Sequence, residues 1–398
     1  MREGWENRPL GDMCNIIGGG TPSKDRVEYY SGNIPWATVR DMRSEAISDT
    51  ERQITEEAVK NSSTNIIPRG NVVIATRVGL GKVCLLEQDT AINQDLRGII
   101  PRAPESLSVR FLFWWLKSVA RLIVAEGTGA TVHGVKLPFV KSLRVPIPPL
   151  PEQQRIVGIL DEAFEGIAIA KANAEKNLQN ARELFASHLE GVFARRGEGW
   201  GEKILGDVAT FRNGINFTKS SQGEPVKIVG VKDFQQNFWA PLDELDTVTP
   251  EGMLPESDRL KENDLLFVRS NGNIELIGRC LLVGKVTDKT THSGFTIRAR
   301  LHDTYITPKY LCHFLKSGGA RRSMIEGGTG VNIKSLNQPT LSALAIPIPP
   351  IAEQRRISNQ LKTLDLETQR LESIYRQKLA ALDELKKSLL HRAFSGEL

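Results

Sequence analysis

One segment of the chain occurs twice, 201 residues apart. Residues 146–156 read PIPPLPEQQRI and residues 347–357 read PIPPIAEQRRI, and each opens a stretch that predicts a long helix. The offset of 201 holds without a gap from Gly127-Thr128-Gly129 to Phe193. Solenoid repeats have periods of roughly 20–50 residues, so this period indicates a duplicated domain together with its connector.

The N-terminal part of each copy matches at offsets that drift. They are 195 at Gly4-Trp5, 192 at residues 39–42 and 72–77, and 197 at Gly81-Lys82. Three residues separate Arg77 from Gly81, whereas eight separate Arg269 from Gly278. Loops on a rigid scaffold tolerate length change and commonly carry function, so this loop is a candidate for recognition. Drift in a loop without function would leave the same pattern.

The globular part of each copy predicts a mixture of strands and helices. Short apolar runs at residues 72–76 and 265–268 are bounded by Gly and Asn, which is typical of strands. Each run is followed by a partner strand of a hairpin-like feature, at residues 81–87 and 279–283. A buried helix is predicted at residues 110–117 and again at 310–316.

The connectors carry heptad-like apolar rows, which favour paired helices. The first is rich in Ala and the second in Leu, so the two helices are expected to pack closely, antiparallel, with the C-terminus returning beside Gly4-Trp5. Pro151 and Glu152 suit a helix start, so capping explains at least part of the Glu-Gln pattern. The rows are Leu160, Ile167, Ala174 and Ala181 with Phe164, Leu178, Phe185 and Val192, then Leu361, Tyr375, Leu382 and Leu389 with Leu364, Leu371 and Leu385.

These patterns predict an α+β protein with two similar modules and an internal pseudo-twofold repeat. The first module covers residues 1–150 and the second covers residues 198–350. Long helices at residues 151–197 and 351–398 form the predicted antiparallel coiled coil. A 43-residue helix would be roughly 65 Å long at 1.5 Å per residue.

Composition and motifs disfavour several functional classes. The chain has 398 residues, a formal net charge of +5, and four scattered cysteines without a CxxC pair. This cysteine usage argues against zinc and disulfides and suits a reducing cytosol. There is no apolar run of 18 residues, no signal-peptide core and no Walker motif, since Gly79-Leu-Gly-Lys82 lacks the flanking residues. The six histidines show no ligand spacing. We therefore expect binding, with no catalytic residue, metal or cofactor in this chain.

The arrangement resembles the specificity subunit of type I restriction-modification systems. Each motif is weak by itself, but two copies in order, each followed by a long helix, are specific and cover essentially the whole chain. The motifs are Gly18-Gly-Gly-Thr-Pro-Ser-Lys24, Ser31-Gly-Asn-Ile-Pro-Trp36, Val39-Arg-Asp-Met42, Ile92-Asn-Gln-Asp95 and the two Pro-Ile-Pro-Pro-x-x-Glu-Gln helix starts.

The resemblance implies two target-recognition domains, each reading one half of a bipartite sequence in double-stranded DNA. It implies helices that space the domains and dock two methyltransferase subunits and, through them, restriction subunits, in a prokaryotic cytoplasm. S-adenosylmethionine, ATP and Mg are then expected on those partner subunits. The second copy departs from the pattern at Gly214-Ile-Asn-Phe217 and Pro225-Val-Lys-Ile228, so its half-site is expected to differ.

Basic residues found in both copies are candidates for DNA contact. Arg and Lys bond guanine edges or neutralise phosphates, and shared positions should contact phosphate, which carries no sequence information. Positions unique to one copy should read bases, as Asn suits adenine and Glu suits cytosine. The shared pairs are Lys24 with Lys219, Arg40 with Lys232, Arg77 with Arg269, Lys82 with Arg279, and His133 with Lys334; the unique residues are Arg43, Ser270, Asn271, Asn273 and Glu275.

Three alternatives stay open at this point. Arg40-Asp41 and Lys232-Asp233 could each form a structural ion pair instead of contacting DNA. The chain could be a helical-hairpin scaffold that assembles partners without touching DNA. A self-sufficient nuclease or methyltransferase is disfavoured by the missing motifs.

Overall fold

The computed structural model describes residues 4–127, 134–195, 197–218, 220–235, 237–327 and 335–398. The chain divides into two compact units, one of Met1–Glu175 with Gln377–Leu398 and the other of Lys176–Arg376. Each unit therefore combines one globular module with a half of each long helix. The sequence-based division into modules and helices follows the chain, whereas the units follow the packing.

The described part of the first unit contains three sheets. Their strand orders are β2-β10-β7-β8-β4, β5-β3-β9-β6 and β1-β11. The strands are β1 Glu6–Pro9, β2 Cys14–Gly18, β3 Ile34–Ala37, β4 Ala46–Ile47, β5 Gln53–Ile54, β6 Asn65–Ile67, β7 Val72–Ala75, β8 Val83–Leu86, β9 Thr90–Ile92, β10 Leu96–Pro101 and β11 Arg144–Ile147. The helices are α1 Leu10–Met13, α2 Glu56–Lys60, α3 Val109–Ser118, α4 Ala120–Ala125, α5 Leu137–Ser142 and α6 Leu150–Ala194, which continues into the second unit.

The described part of the second unit repeats this arrangement with two strands fewer. Its sheets are ordered β13-β19-β16-β17, β15-β14-β18 and β12-β20, and a bridge between Trp239 and Leu282 occupies the place of β4. The strands are β12 Gly201–Ile204, β13 Ala209–Asn213, β14 Val226–Val229, β15 Asp246–Val248, β16 Leu265–Val268, β17 Cys280–Leu282, β18 Thr290–His292, β19 Thr296–Leu301 and β20 Ala345–Ile348. The helices are α7 Pro308–Lys316, α8 Gly318–Glu326, α9 Gln338–Ser342 and α10 Ile351–Ser395, which ends in the first unit.

Short 3₁₀ helices connect several of these elements. Val39–Asp41 and Val231–Asp233 follow equivalent strands, β3 and β14. The others are Val27–Tyr30, Leu205–Asp207, Glu256–Asp258 and Ile274–Leu276. The predicted hairpins, the buried helices and both long helices are confirmed, with α6 and α10 each 45 residues long.

Strand register corrects the sequence alignment in the central strand. Val72 of β7 pairs with Leu85, and Leu265 of β16 pairs with Leu282. The offset from Leu85 to Leu282 is 197, as expected, but the offset from Val72 to Leu265 is 193 and not 192. The turn before each strand has the same offset of 193. The N–H of Gly70 (φ +79°) donates to the carbonyl of Leu86, and the N–H of Asn263 (φ +72°) donates to the carbonyl of Val283.

The predicted equivalence of Arg77 and Arg269 is therefore wrong by one residue. Arg269 corresponds to Thr76. The backbone N–H of Thr76 donates to the carbonyl of Asp95, and that of Arg269 donates to the carbonyl of Phe295, both at 2.8 Å. Arg77 corresponds to Ser270. A shift of one residue moves a side chain to the opposite face of a strand, so the two arginines do not share a position.

The repeated Glu-Gln motif is a buried clasp. Gln153 is fully buried; its Nε2 donates to the carbonyls of Ser106 (2.8 Å) and Pro148 (2.9 Å), and its Oε1 accepts from the N–H of Ser108 (2.9 Å). These bonds tie the start of α6 to the loop before α3. Gln354 does the same for α10 and α7 through Tyr305, Pro349 and Thr307. Capping therefore explains only part of the motif, because the amide also satisfies buried backbone groups.

The half-helices of α6 and α10 contact each other within each unit. In the first unit, Arg155 donates to the carbonyl of Leu398 and Lys171 pairs with Asp383, so the two segments run in opposite directions. In the second unit, Arg182 pairs with Glu372. Trp5 packs on the same core as Leu398, as expected for the returning C-terminus.

The apolar rows are buried in part as predicted. The row through Leu160, Ile167, Ala174 and Ala181 is buried, and so is Leu361. The predicted row of Leu364, Leu371 and Leu385 is wrong at two positions, because Leu371 and Leu385 are 38% and 47% exposed. The second row of α6 begins at Phe164, whose counterpart at the offset of 201 is Asp365. The predicted row of α10 began one residue earlier, at Leu364. Among the described residues, no helix has the length and apolarity needed to cross a membrane.

Candidate nucleic-acid interface

Four loops meet at one edge of each module, and we call this surface the loop edge. Strands β2 and β7 both run antiparallel to β10, so their C-terminal ends lie at the same side of the sheet. Backbone hydrogen bonds join the loops, including Gly20 to Ile92 (3.0 Å) and Asn93 to Ala37 (3.0 Å). The loop edge consists of residues 19–24, 38–43, 76–82 and 93–95 in the first unit, and 214–218, 230–235, 269–279 and 293–295 in the second.

A glycine in each module allows two of these loops to touch. A Cβ on Gly19 would lie 2.2 Å from the carbonyl oxygen of Ile92, and one on Gly214 would lie 2.2 Å from that of His292. Any larger residue would separate the loops. Although the Gly-Gly-Thr-Pro sequence is lost in the second copy, its structurally required glycine is retained.

Three cations of the loop edges are free to bind a ligand. The side chains of Lys24, Arg40 and Arg269 make no hydrogen bond or ion pair with any residue that the structure describes. Lys24 and Arg40 are exposed, whereas Arg269 is half-buried. Free, solvent-facing cations are the groups that contact phosphate oxygens.

Asp41 and Asp233 cap the backbone rather than pairing with their basic neighbours. Asp41 accepts from the N–H of Thr38 (2.7 Å) and of Glu51 (2.8 Å), and Asp233 accepts from the N–H of Gly230 (2.7 Å). The alternative of an Arg40–Asp41 or Lys232–Asp233 ion pair is therefore not what the structure shows. Lys232 instead pairs with Asp246 (2.5 Å), and that bond raises the pKa of its ammonium group.

Lys82 and Arg279 fasten two loops of the edge to each other. Lys82 Nζ donates to the carbonyls of Val39 (3.4 Å) and Met42 (3.2 Å). Arg279 makes the same connection in the second module, to the carbonyl of Gln235. These two shared cations therefore position the loop edge, and phosphate contact would be an additional role.

Two cations of the first loop edge have acidic partners. Arg77 lies 3.6 Å from Asp95, the last residue of the Asn-Gln-Asp motif. Arg43 pairs with Glu51 (2.5 Å) and also donates to the carbonyl of Arg40. Both side chains remain substantially exposed, so the carboxylates orient them without enclosing them.

Asn271 and Asn273 use their oxygens to shape their own loop. Asn271 Oδ1 accepts from the N–H of Asn273 (2.8 Å), and Asn273 Oδ1 accepts from the N–H of Glu275 (2.9 Å). The second bond caps the 3₁₀ helix Ile274–Leu276. Base reading by these two residues stays a prediction, and it would use their amide nitrogens.

The sequence reasoning missed Arg97 and Arg321. Arg97 donates to the carbonyls of Gln94 and Leu96, and burial lowers the pKa of its guanidinium. It stands two residues after the Asn-Gln-Asp motif, which was the available signal, but its counterpart is Ile297 and a search for shared charge passes over it. Arg321 donates to the carbonyl of Glu275, a contact between distant segments that no local pattern reveals.

Three predicted contact residues, His133, Lys219 and Lys334, lie outside the described residues. So do most residues of the two Gly-Thr-Gly motifs. Their roles stay predictions.

The buried titratable groups stabilise the fold in their neutral forms. Burial lowers the pKa of His292 to about 3 and that of His313 to about 4. Burial also raises the pKa of the Cys14 thiol to about 12 and that of Cys84 to about 11. Within the part of the chain that the structure describes, no cluster of His, Cys, Asp and Glu could hold a metal ion.

A duplicated α+β module, with a basic loop edge and a long helix in each copy, defines the class of protein. The model of the type I restriction modification DNA specificity domain matches residues 2–180 and 197–380. The chain therefore belongs to this family.

Curated relatives agree with the family. The chain is 37% identical over 164 residues to the EcoR124I/EcoR124II specificity subunit of Escherichia coli, covering 39% of this chain and 40% of that protein. It is 29% identical to the MjaIX specificity subunit of Methanocaldococcus jannaschii, covering 53% of each. The chain thus spans about half or less of these two relatives. It is also 25% identical to the EcoKI specificity subunit of Escherichia coli K12, over 100% of this chain and 90% of that protein.

Two solved structures share the fold. A chain from work on complex assembly and conformational transition of the type I R-M system superposes with a TM-score of 0.80 at 18% identity, covering 100% of this chain and 99% of that one. The HsdS subunit from Thermoanaerobacter tengcongensis gives 0.63 at 19% identity, covering 100% and 98%.

Proposed function

We propose that this chain selects the DNA target of a type I restriction-modification complex, reading one half of an asymmetric, bipartite sequence with each module. It performs no chemistry itself. Methyltransferase subunits dock on α6 and α10 and bring the restriction subunits with them. S-adenosylmethionine, ATP and Mg²⁺ act on those partners.

The observation that carries the proposal is that the two loop edges differ on equivalent scaffolds. Strands β7 and β8 are joined by the seven residues 76–82, whereas β16 and β17 are joined by the eleven residues 269–279. The loop that differs in length carries cations in both modules, Arg77 and Lys82 in the first and Arg269 and Arg279 in the second. Equivalent scaffolds with different loops support recognition of two different half-sites.

The charge of the loop edges supports contact with the DNA backbone. Lys24 and Arg40 in the first module and Arg269 in the second leave their cationic groups without protein partners among the described residues. Phosphate contacts by such groups release counterions, so affinity falls as salt rises. Cations grouped at the loop edge therefore favour DNA binding over a scaffold role.

The helices suit the role of spacer and docking surface. Each has 45 residues, or about 68 Å at 1.5 Å per residue, and their pairing supports a pseudo-twofold, antiparallel coiled coil. The gapless offset of 201 fixes the register between the copies. On α10, Leu366, Leu371 and Ile374 are exposed, and exposed apolar side chains on a helix favour partner binding.

Methylome sequencing tests the proposal. A host with its complete system is compared with one lacking this gene, and we expect loss of methylation at a single two-part motif with a fixed spacer. Asn273→Ala should then change preference in one half of that motif only. Methylation that is unaffected by loss of the gene, or changes in both halves, would contradict the proposal.

A gel-shift titration separates this function from that of a scaffold. The purified complex with its methyltransferase subunits is bound to DNA that carries the motif, at low and at high salt. The proposal requires binding that weakens with salt and depends on the motif. A complex that assembles but shows no motif-dependent shift would favour the scaffold.

A further inference from the structure

Among the residues that the structure describes, ion pairs at Lys171–Asp383 and Arg182–Glu372 link α6 to α10, and both have the same polarity. In the first unit, Lys171 Nζ lies 2.7 Å from Asp383 Oδ1. In the second unit, Arg182 lies 3.2 Å from Glu372 Oε2. The cation belongs to α6 and the carboxylate to α10 in both cases.

The two ion pairs occupy equivalent positions of the repeat. Adding the offset of 201 to Lys171 gives Glu372, and adding it to Arg182 gives Asp383. The residue numbers of each pair also have one sum, since 171 + 383 and 182 + 372 are both 554. The duplication therefore preserved the two contact positions, where α6 carries a cation and α10 carries a carboxylate.

A helix paired with a second copy of itself would lose this complementarity. In the same geometry, two copies of α6 would place Lys171 against Arg182 twice. Two copies of α10 would place Glu372 against Asp383 twice. Facing like charges disfavour a pairing, and such repulsion is a common source of partner specificity between helices.

Side-chain size gives an independent argument in the same direction. Ala174 and Ala181 of α6 are buried, and their equivalents on α10 are the half-buried Tyr375 and Leu382. Each unit contains one residue of each kind, Ala174 with Leu382 in the first and Ala181 with Tyr375 in the second. Self-pairing would combine small residues with small ones, leaving space, or large residues with large ones.

We infer that α6 and α10 are specific partners that reject a second copy of themselves. Chains that meet in solution therefore keep their own helix pair and do not exchange helices to form symmetric dimers. The inference concerns the helices alone and holds whether or not the modules read DNA as proposed.

The test counts self-paired fragments after a folded chain is cut. A specific protease site is inserted after Gly197, in the exposed segment that joins α6 to β12. Two preparations with different tags at the N-terminus are folded as full chains, cleaved and mixed. The C-terminal fragments of one preparation carry a separate label. The urea concentration is raised until labelled C-terminal fragments exchange between the preparations, and the urea is then removed. Complexes that carry both tags contain two N-terminal fragments and report self-pairing of α6.

Charge exchange within one pair should remove the discrimination without breaking the native pairing. In the variant Lys171→Glu/Asp383→Lys, both native ion pairs remain opposite in sign, but self-paired helices also become complementary. Doubly tagged complexes should rise roughly fivefold or more over the wild type, given the modest strength of exposed pairs. The rise should shrink at high salt.

Charge exchange in both pairs is the matched control. The variant Lys171→Glu/Arg182→Glu/Glu372→Lys/Asp383→Lys again places like charges together in self-paired helices, so doubly tagged complexes should return to the wild-type level. Repulsion within one helix occurs in both kinds of complex and cancels in their ratio. The inference is overturned if the single exchange has no effect, if the double exchange resembles it, or if the wild type already pairs at random.

Discussion

The two modules share a strand order but fill the space between their sheets differently. In the first module this layer is apolar and includes Ile17, Ile92 and Ile100. Their equivalents in the second are Arg212, His292 and Arg300, and Gly98 is matched by Arg298.

The second module keeps an apolar cluster in this layer, with Val229, Leu266 and Val268, and its additional charged residues are internally bonded. Arg300 makes two bonds of 2.7 Å to the carboxylate of Asp264, which is 1% exposed. Arg212 pairs with Asp258, and Arg298 donates 2.8 Å to the carbonyl of Ser257. By contrast, the core that packs on the long helices is apolar in both units. The helix-facing layer therefore holds the common fold, while the layer beneath the loop edge can change its chemistry.

Acidification should produce the largest difference in stability between the two modules. The pKa values of His292 and His313, about 3 and about 4, lie below the ordinary value of 6.5, so the unfolded chain binds protons first. Their contribution to stability is present above pH 6.5 and is lost as the pH falls toward 4. From pH 7 to pH 5 the second unit should lose about 4 kcal/mol. Hydrogen exchange followed by mass spectrometry reports each unit separately.

The first module provides the matched control for this effect. The equivalents of the two histidines are Ile92 and Trp114, which do not titrate. His292→Ile should therefore remove about half of the pH-dependent loss from the second unit. Equal loss of protection in both units would show that these histidines are not the cause.

Removing the buried carboxylate should also affect the second module alone. Asp264→Ala removes the carboxylate partner of the partly buried Arg300 and leaves only its bond to the carbonyl of Arg259, so the free energy of unfolding of this unit should fall by about 3 kcal/mol. Its counterpart in the first module is Asn71, which is half-buried and whose side chain donates to the nearby carbonyls of Pro68 and Arg69. Asn71→Ala should cost under about 1 kcal/mol. Urea unfolding measures both, and similar losses would contradict the distinction between the layers.

The glutamine clasps should behave alike in the two units. Gln153→Ala and Gln354→Ala each leave several buried backbone groups unpaired, so each should cost about 2 kcal/mol. Gln153→Glu and Gln354→Glu keep the shape but replace the donor with an acceptor, and they should not restore stability. A large effect in only one unit would mean that the helix-facing layer is not equivalent after all.

The smallest expected effect distinguishes the two arginines that the alignment had matched. Arg77→Ala should weaken binding of the assembled complex on all DNA sequences and lower the slope of log affinity against log salt by about 0.9. Thr76→Ala, at the true counterpart of Arg269, should leave the slope unchanged. An unaltered slope in Arg77→Ala would remove this residue from the phosphate contacts.

Much of the architecture was predictable from the residues because its signals are local or periodic. The apolar runs gave β7 and β16, the heptad-like rows gave α6 and α10, and the repeated motifs gave the duplication. The leucine row through Leu371 and Leu385 failed because the spacing of leucines does not determine which face of a helix meets its partner. Most cations of the loop edge could be selected from the sequence as contact residues. Their hydrogen bonds to carbonyls of distant residues could not be predicted.

The sequence by itself determined that this protein is a duplicated pair of modules with two long helices, since repeats and periodicity are properties of the chain. Only the tertiary structure decided which residues are equivalent. Arg77 and Arg269 align by residue type, but the second copy has one more residue between Phe234 and Leu265 than the first has between Met42 and Val72. This insertion shifts the strand register, which backbone hydrogen bonds between distant strands define. The same holds for Lys82 and Arg279, whose partners become visible only when loops far apart in the chain meet at one edge.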